Sequence, residues 1–345
     1  MVASDLIQTL KDAQLRYIDS SIPGIRRRRA GAGFQYFDSS GNRVSKNILE
    51  RVKELKIPPG WKDVWVCPSS TGHLQATGFD SKGRKQYIYH PRWREACQEN
   101  KFGKLPDFAR SLPRIRRKVR QDLDGSELDK DRILATVIWL LEHTFIRVGN
   151  EEYVKENDSF GLTTLRNKHV KVAGKSIKFQ FKGKSGVYHM VSISHPAVAR
   201  VIKQCIELPG YEIFQYIDSA GFRHTIDSEN VNLYLKEVTG EEVTAKDFRT
   251  WGGSTLSAQT LNQFGPFTSD DILKQNIRQM VLAVSKHLRN TPRICENYYI
   301  HPSIIETYRR NIFIPFYRKS MDSKKKMDGL SKPEFAVLTL LEEYS

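Results

Sequence analysis

Up to about residue 90, apolar and polar positions alternate in short runs; beyond it, apolar residues recur at helical spacing. Phe34-Gln35-Tyr36-Phe37, followed by Asp38-Ser39-Ser40-Gly41, predicts a strand entering a turn, because Gly and Asx residues supply the turn's unusual dihedrals. Val64–Val66 and Leu74–Gly78 predict further strands, and Asp80-Ser81-Lys82-Gly83 a turn into a strand over 84–89. Helices are expected here only over 5–15 and 45–55. Between them stands the run Arg26-Arg27-Arg28-Arg29, followed by the flexible Ala30-Gly31-Ala32-Gly33.

From His90 onward Pro91 suits a first helical turn, and Trp93 and Ala96 are three apart, which sets a domain boundary near residue 92. The spacing predicts helices over 112–123, 131–145, 195–207, 228–238, 244–261, 269–288 and 302–308. Two strands, 177–182 and 187–191, are joined by Gly183-Lys184-Ser185-Gly186. The segment 320–332 reads as a loose linker ahead of an amphipathic helix over 333–344. The predicted class is α+β: a small, mostly β module over 1–92, then a mostly helical domain over 93–345.

Composition adds a partner. The 345 residues suit two domains, and 39% hydrophobic residues can fill their cores. A net charge of +16 points to a polyanion, with nucleic acid foremost. Residues 1–95 carry 17 basic and 9 acidic side chains, a net of +8, so the β module concentrates the charge. The longest apolar stretch, Ile133–Leu141, spans nine residues against the roughly 20 that cross a bilayer, so no membrane span is expected. The first residues lack a secretory pattern, which favours an intracellular location. Cys67, Cys97, Cys205 and Cys295 stand singly, which excludes a disulfide scaffold and a cysteine zinc site. No phosphate-cradling glycine loop and no Mg2+-binding carboxylate cluster is evident.

Each candidate residue has an ordinary structural reading when taken alone. Arg147 sits where an apolar helix meets a glycine turn, a common place for a cap or an ion pair. Lys184 is at a hairpin tip, where lysine is usually solvated. Arg249, in Lys246-Asp247-Phe248-Arg249-Thr250-Trp251-Gly252, suits a structural ion pair, and Tyr299 a core aromatic. In the order Arg147, Lys184, Arg249, Asn290, Tyr299, within a basic chain with a separate β module, they resemble the active site of type IB DNA topoisomerases. The poxvirus-like and bacterial branch is the most similar.

The resemblance implies a C-shaped DNA clamp whose helical domain carries a short three-stranded sheet. It makes Tyr299 the nucleophile, Arg147 and Arg249 the clamp on the scissile phosphate, Lys184 the general acid and Asn290 a donor where many relatives have histidine. Arg84, Gln86, Tyr87 and Tyr89 fall on the strand that reads DNA. The segment Gly161-Leu162-Thr163-Thr164-Leu165-Arg166 looks like the family's approach to the catalytic hairpin. Relaxation through a 3′-phosphotyrosine would need no ATP, metal or other cofactor. A monomer in the cytoplasm, on the nucleoid, is implied. Two alternatives stay open. A tyrosine recombinase shares the chemistry but generally carries His-x-x-Arg where this chain has Lys246-x-x-Arg249, and a noncatalytic DNA-binding protein would explain the charge alone. His287 and His301 are read as structural.

Overall fold

The computed structural model describes residues 3–324 and 327–345, and the chain divides into two compact units, 1–103 and 104–345. In the first unit α1 (Ala3–Asp12) leads to β1 (Ile25–Ala30), β2 (Gly33–Phe37), α2 (Lys46–Glu54), β3 (Lys62–Val66), β4 (Leu74–Phe79), β5 (Lys85–Tyr89) and α3 (Pro91–Gly103). The strands form one antiparallel sheet in the order β2-β1-β3-β4-β5. Val64 and Val66 pack with Val52 of α2 on one face, and Trp65 and Cys67 with Leu74 on the other. The division falls after Gly103 rather than near residue 92, because Trp93 of α3 is buried with Leu10, Ala13 and Leu15, which binds that helix to this unit.

The arginine run is a strand, which its charge did not suggest. Arg26–Arg29 pair with Phe37–Phe34, and Ala30 with Gly33, so Gly31-Ala32 is a tight hairpin loop with Gly31 at φ 59. Arginine tolerates a strand here because the guanidinium heads find partners: those of Arg27 and Arg28 lie over aromatic rings, and Arg27 also donates to the Pro58 and Trp61 carbonyls. The Arg27 guanidinium is 4.1 Å from the Phe34 ring centroid and that of Arg28 is 4.8 Å from Phe37.

The second unit opens with α4 (Leu105–Leu123), α5 (Lys130–Thr144) and α6 (Glu151–Asn157). A three-stranded sheet follows, β6 (Val170–Ala173), β7 (Ser176–Lys182) and β8 (Tyr188–Ser194), with β7 central. After α7 (Pro196–Glu207) comes a hairpin, β9 (Gln215–Ile217) and β10 (Arg223–Thr225), then α8 (Ser228–Thr239), α9 (Ala245–Phe264), α10 (Asp270–Leu288) and α11 (Pro292–Tyr298). The last helices are α12 (Pro302–Arg309), α13 (Phe313–Asp322) and α14 (Lys332–Tyr344). In β7, Ile177, Phe179 and Phe181 point into the core while the intervening residues are exposed, as a period of two requires. Helix α5 is apolar on every side and buried from Ile133 to Ile138, so it forms the centre of the unit.

The segment read as a loose linker is structured where described. Its first residues finish α13, Met327 and Leu330 pack on the core, and Gly329 sits against Pro113 with no room for a side chain. Arg116, from the basic stretch of α4, is held by Glu142 and Glu334, each at 2.6 Å, so that cation belongs to the fold rather than to a DNA-facing surface.

Candidate active site

Helix α5 ends inside the core at Phe145, which adopts the left-handed conformation (φ 53) and returns its N–H to Leu141. The chain then passes through Arg147, whose carbonyl accepts the Leu162 N–H at 2.8 Å, while that of Val148 accepts the Thr163 N–H at 2.7 Å. Gly149 and Gly161 cross so closely that a Cβ on Gly161 would lie 2.5 Å from Gly149 Cα. Backbone bonds therefore fix the Arg147 main chain, and its side chain is half-buried.

Arg249 lies early in α9 and is 3% exposed. Its Nη1 donates to the Phe145 carbonyl and its Nη2 to that of Leu288 at 2.9 Å, joining the ends of α5 and α10. Nε is buried without a hydrogen-bond partner, and Cζ is 5.1 Å from the Tyr299 ring centroid. Burial and then the charge of Arg147 draw the Arg249 pKa below its ordinary value. A guanidinium has five N–H donors, so two carbonyls and the Tyr299 hydroxyl leave this one short of acceptors in a dry place, a situation that an arriving anion would relieve.

Tyr299 caps the C-terminus of α11 and is half-buried, whereas Tyr298 is exposed. Burial pushes its phenol up, but Arg249, Arg147, a hydrogen bond from Arg249 and Lys246 together bring the pKa below the ordinary tyrosine value. Two glycines of α9 admit this arrangement. A Cβ on Gly252 would lie 2.1 Å from the Phe145 ring, and one on Gly253 would lie 2.4 Å from the Tyr299 carbonyl oxygen.

Asn290 follows Arg289, the left-handed cap of α10 (φ 47). Its Oδ1 accepts the Thr291 N–H at 3.1 Å, which leaves the amide N–H groups for another acceptor. Lys184 begins the turn between β7 and β8, where Ser185 (φ 63) and Gly186 (φ 77) reverse the chain. It is exposed, with Nζ 5.3 Å from the ring centroid of Tyr153 on α6. The structure thus gathers Arg147, Arg249 and Tyr299, sets Asn290 at the helix end that Arg249 grips, and leaves Lys184 on its hairpin over Tyr153. His301 caps α12 by accepting the Ser303 N–H, and His287 lies 5.1 Å from Phe145, ring to ring.

Gly252-Gly253 and Arg289 are additions to the residues expected from sequence, and Lys246, noted there only within Lys246-x-x-Arg249, acts on the Tyr299 phenol. The glycine pair was a legible signal, since each mid-helix glycine costs about 1 kcal/mol relative to alanine and so calls for a close approach. Nothing in the local pattern marks Arg289, whose hydrogen bond reaches a residue 99 positions away.

Comparison with known proteins agrees with the geometry. Residues 90–326 match the family described as eukaryotic DNA topoisomerase I, catalytic core, and residues 33–80 match bacterial DNA topoisomerase IB, N-terminal domain. DNA topoisomerase 1B of Acanthamoeba polyphaga mimivirus is 33% identical over 297 residues, which are 84% of this chain and 88% of the relative. DNA topoisomerase 1B of vaccinia virus (strain Copenhagen) is 25% identical over 282 residues, 79% of this chain and 85% of the relative. The chain belongs to the type IB DNA topoisomerases. It is an enzyme acting on DNA, and no helix among the described residues is long and apolar enough to cross a membrane.

In the N-terminal unit of this topoisomerase the candidate DNA-binding strand has two faces. Lys85, Tyr87 and Tyr89 alternate onto one; Gln86 and Ile88 onto the other, where Ile88 packs on the core beside α2. Tyr87 and Tyr89 stack with ring centroids 6.0 Å apart, and Tyr87 is 47% exposed. Gln86 Nε2 donates to Asp80 Oδ2 at 3.0 Å, and Arg84 bonds to the same oxygen at 2.7 Å. The Asp80 carboxylate, held chiefly by Arg84, titrates at about 2. Register carries Tyr87 across Thr77 and Trp65 to Arg26, so exposed Arg26 and Arg28 share the tyrosines' face of the sheet.

Proposed function

We propose that this topoisomerase relaxes supercoils of both signs through a transient 3′-phosphotyrosyl bond at Tyr299, acting as a monomer without ATP or a metal. The observation that carries the reading is the Arg249 guanidinium, buried and 5.1 Å from the Tyr299 ring. The phenolate oxygen attacks phosphorus, the bond to O5′ breaks, and its electron pair passes to O5′, which takes a proton from Lys184. The Tyr299 proton leaves to solvent when the phenolate forms, and stabilising that anion raises its population. Arg147 and Arg249 each offer a planar fork to the charge that grows on the nonbridging oxygens, and Asn290 adds a neutral donor.

The ester formed is close in energy to the diester broken, so the free 5′-hydroxyl reverses the step after the duplex has swivelled. Lys184 must leave the Tyr153 ring to reach O5′, a side-chain rotation on a hairpin that stays in place. On the N-terminal sheet Tyr87 and Tyr89, with Arg84 and Gln86 once freed from Asp80, meet the duplex. The exposed Arg26 and Arg28 add phosphate binding on the tyrosines' face. The proposed location is the nucleoid, in the cytoplasm. The test is plasmid relaxation in EDTA without nucleotide: positively and negatively supercoiled DNA should both relax, and a strict requirement for Mg2+ or ATP would overturn the mechanism.

A further inference from the structure

We propose that Arg289 is a positioning residue for leaving-group protonation, locking the hairpin that carries Lys184 to the helix end that carries Asn290. The inference rests on the reading of Lys184 as the acid. Arg289 Nη2 donates to the Met190 carbonyl on β8 at 2.9 Å. Its neighbours in sequence serve the phosphate side of the site: the Leu288 carbonyl holds Arg249, and Asn290 follows directly. One short stretch, 288–290, thereby joins the arginine clamp, the neutral donor and the acid hairpin.

The hairpin is stiff from that anchor to its turn. Met190 pairs with Gln180 and His189 with Phe181 in the ladder between β7 and β8. The His189 ring is 3% exposed, stacks on Phe181 at 4.7 Å between centroids, and has no hydrogen-bond partner on either nitrogen. A Cβ on Gly183 would lie 2.6 Å from His189 Nε2, so the residue before Lys184 rests directly on the ring. Burial, then Arg289, Arg147 and Arg249, hold the imidazole down at about 4, which keeps it an uncharged spacer amid cations. With this stack rigid, a shift at Met190 is passed to the Lys184 turn instead of being absorbed between them. Removing Arg289 removes this tie between β8 and the end of α10 while the pairing of β8 with β7 remains.

Leaving-group chemistry separates this role from a structural one. An oxygen leaving group needs the Lys184 proton, whereas sulfur at the 5′-bridging position departs as thiolate, since a thiol has a pKa of about 8.5. The experiment is single-turnover cleavage of matched suicide duplexes, one with oxygen and one with sulfur at that position. The proteins are the parent, Arg289→Gly and Lys184→Ala. Glycine suits the left-handed backbone at 289, and cleavage of the sulfur duplex is the internal control for folding. Misplacing the acid by about 1 Å should slow Arg289→Gly on the oxygen duplex by on the order of 10- to 100-fold, with the sulfur duplex cleaved within about threefold of the parent rate. Equal slowing on both duplexes, or none on either, would overturn the role of Arg289. If Lys184→Ala is not selectively rescued by sulfur, the acid assignment itself fails, whatever Arg289→Gly does.

Discussion

Arg26 and Arg28 stand exposed on a sheet of the N-terminal unit, whereas Arg249 is 3% exposed and spends two of its donors on carbonyls beside Tyr299. The residue type is the same and the physics differs. At the sheet, water and salt surround each charge, so an arginine adds affinity that ionic strength screens. At the site the charge is already desolvated and held in place by two helix ends, so it acts on the phenol before any substrate arrives. In the proposed mechanism an exposed cation contributes to attraction, and a buried, anchored one lowers the barrier.

Exchanging arginine for lysine should separate the two regions most sharply. Arg249→Lys cannot bridge both carbonyls and also face Tyr299, and is expected to cut single-turnover cleavage by roughly 100- to 1,000-fold at saturating DNA. Arg26→Lys with Arg28→Lys should leave that rate unchanged. Comparable losses in both variants would erase the distinction. Asn290→Ala should cost about 1 to 3 kcal/mol of transition-state stabilisation, read in the same assay. Asn290→His should retain cleavage, with any gain fading as pH rises through the histidine pKa, about 6.5 when unperturbed.

The affinity side is checked by salt. Replacing Arg26 and Arg28 with alanine should lower the slope of log affinity against log salt by about 0.9 for each phosphate that the protein no longer neutralises. An unchanged slope would remove these residues from the DNA-binding face. The smallest effect is spectroscopic. Because the cations outweigh burial at Tyr299, the phenolate absorbance of the parent minus that of Tyr299→Phe should titrate below the ordinary value of about 10. Cleavage should therefore gain phenolate at lower pH than free tyrosine would allow. A difference curve centred at or above 10 would mean that burial dominates instead.

How much of this was legible in the sequence depended on distance along the chain. Alternation in 177–182 gave β7, and the run of 133–141, apolar except for Thr136, gave the central helix, because each pattern expresses one local environment. The arginine run escaped as a strand since its apolar support, Phe34 and Phe37, lies on the paired strand. Helix α11, seven residues long, is too short to declare a period, so the context of Asn290 and Tyr299 became visible only in three dimensions. The order Arg147, Lys184, Arg249, Asn290, Tyr299 was readable as a motif. That Lys184 rests on Tyr153, that Gln86 is tied to Asp80, and that Arg289 reaches Met190 are tertiary facts with no local trace.

The most direct test is to trap the covalent complex on a suicide duplex, digest it and locate the nucleotide-bearing peptide by mass spectrometry. The arrangement of Arg249 against Tyr299 predicts a single adduct on Tyr299 through a 3′-phosphate, absent in Tyr299→Phe although that variant still binds duplex. An adduct on exposed Tyr298, or one that persists in Tyr299→Phe, would contradict the account.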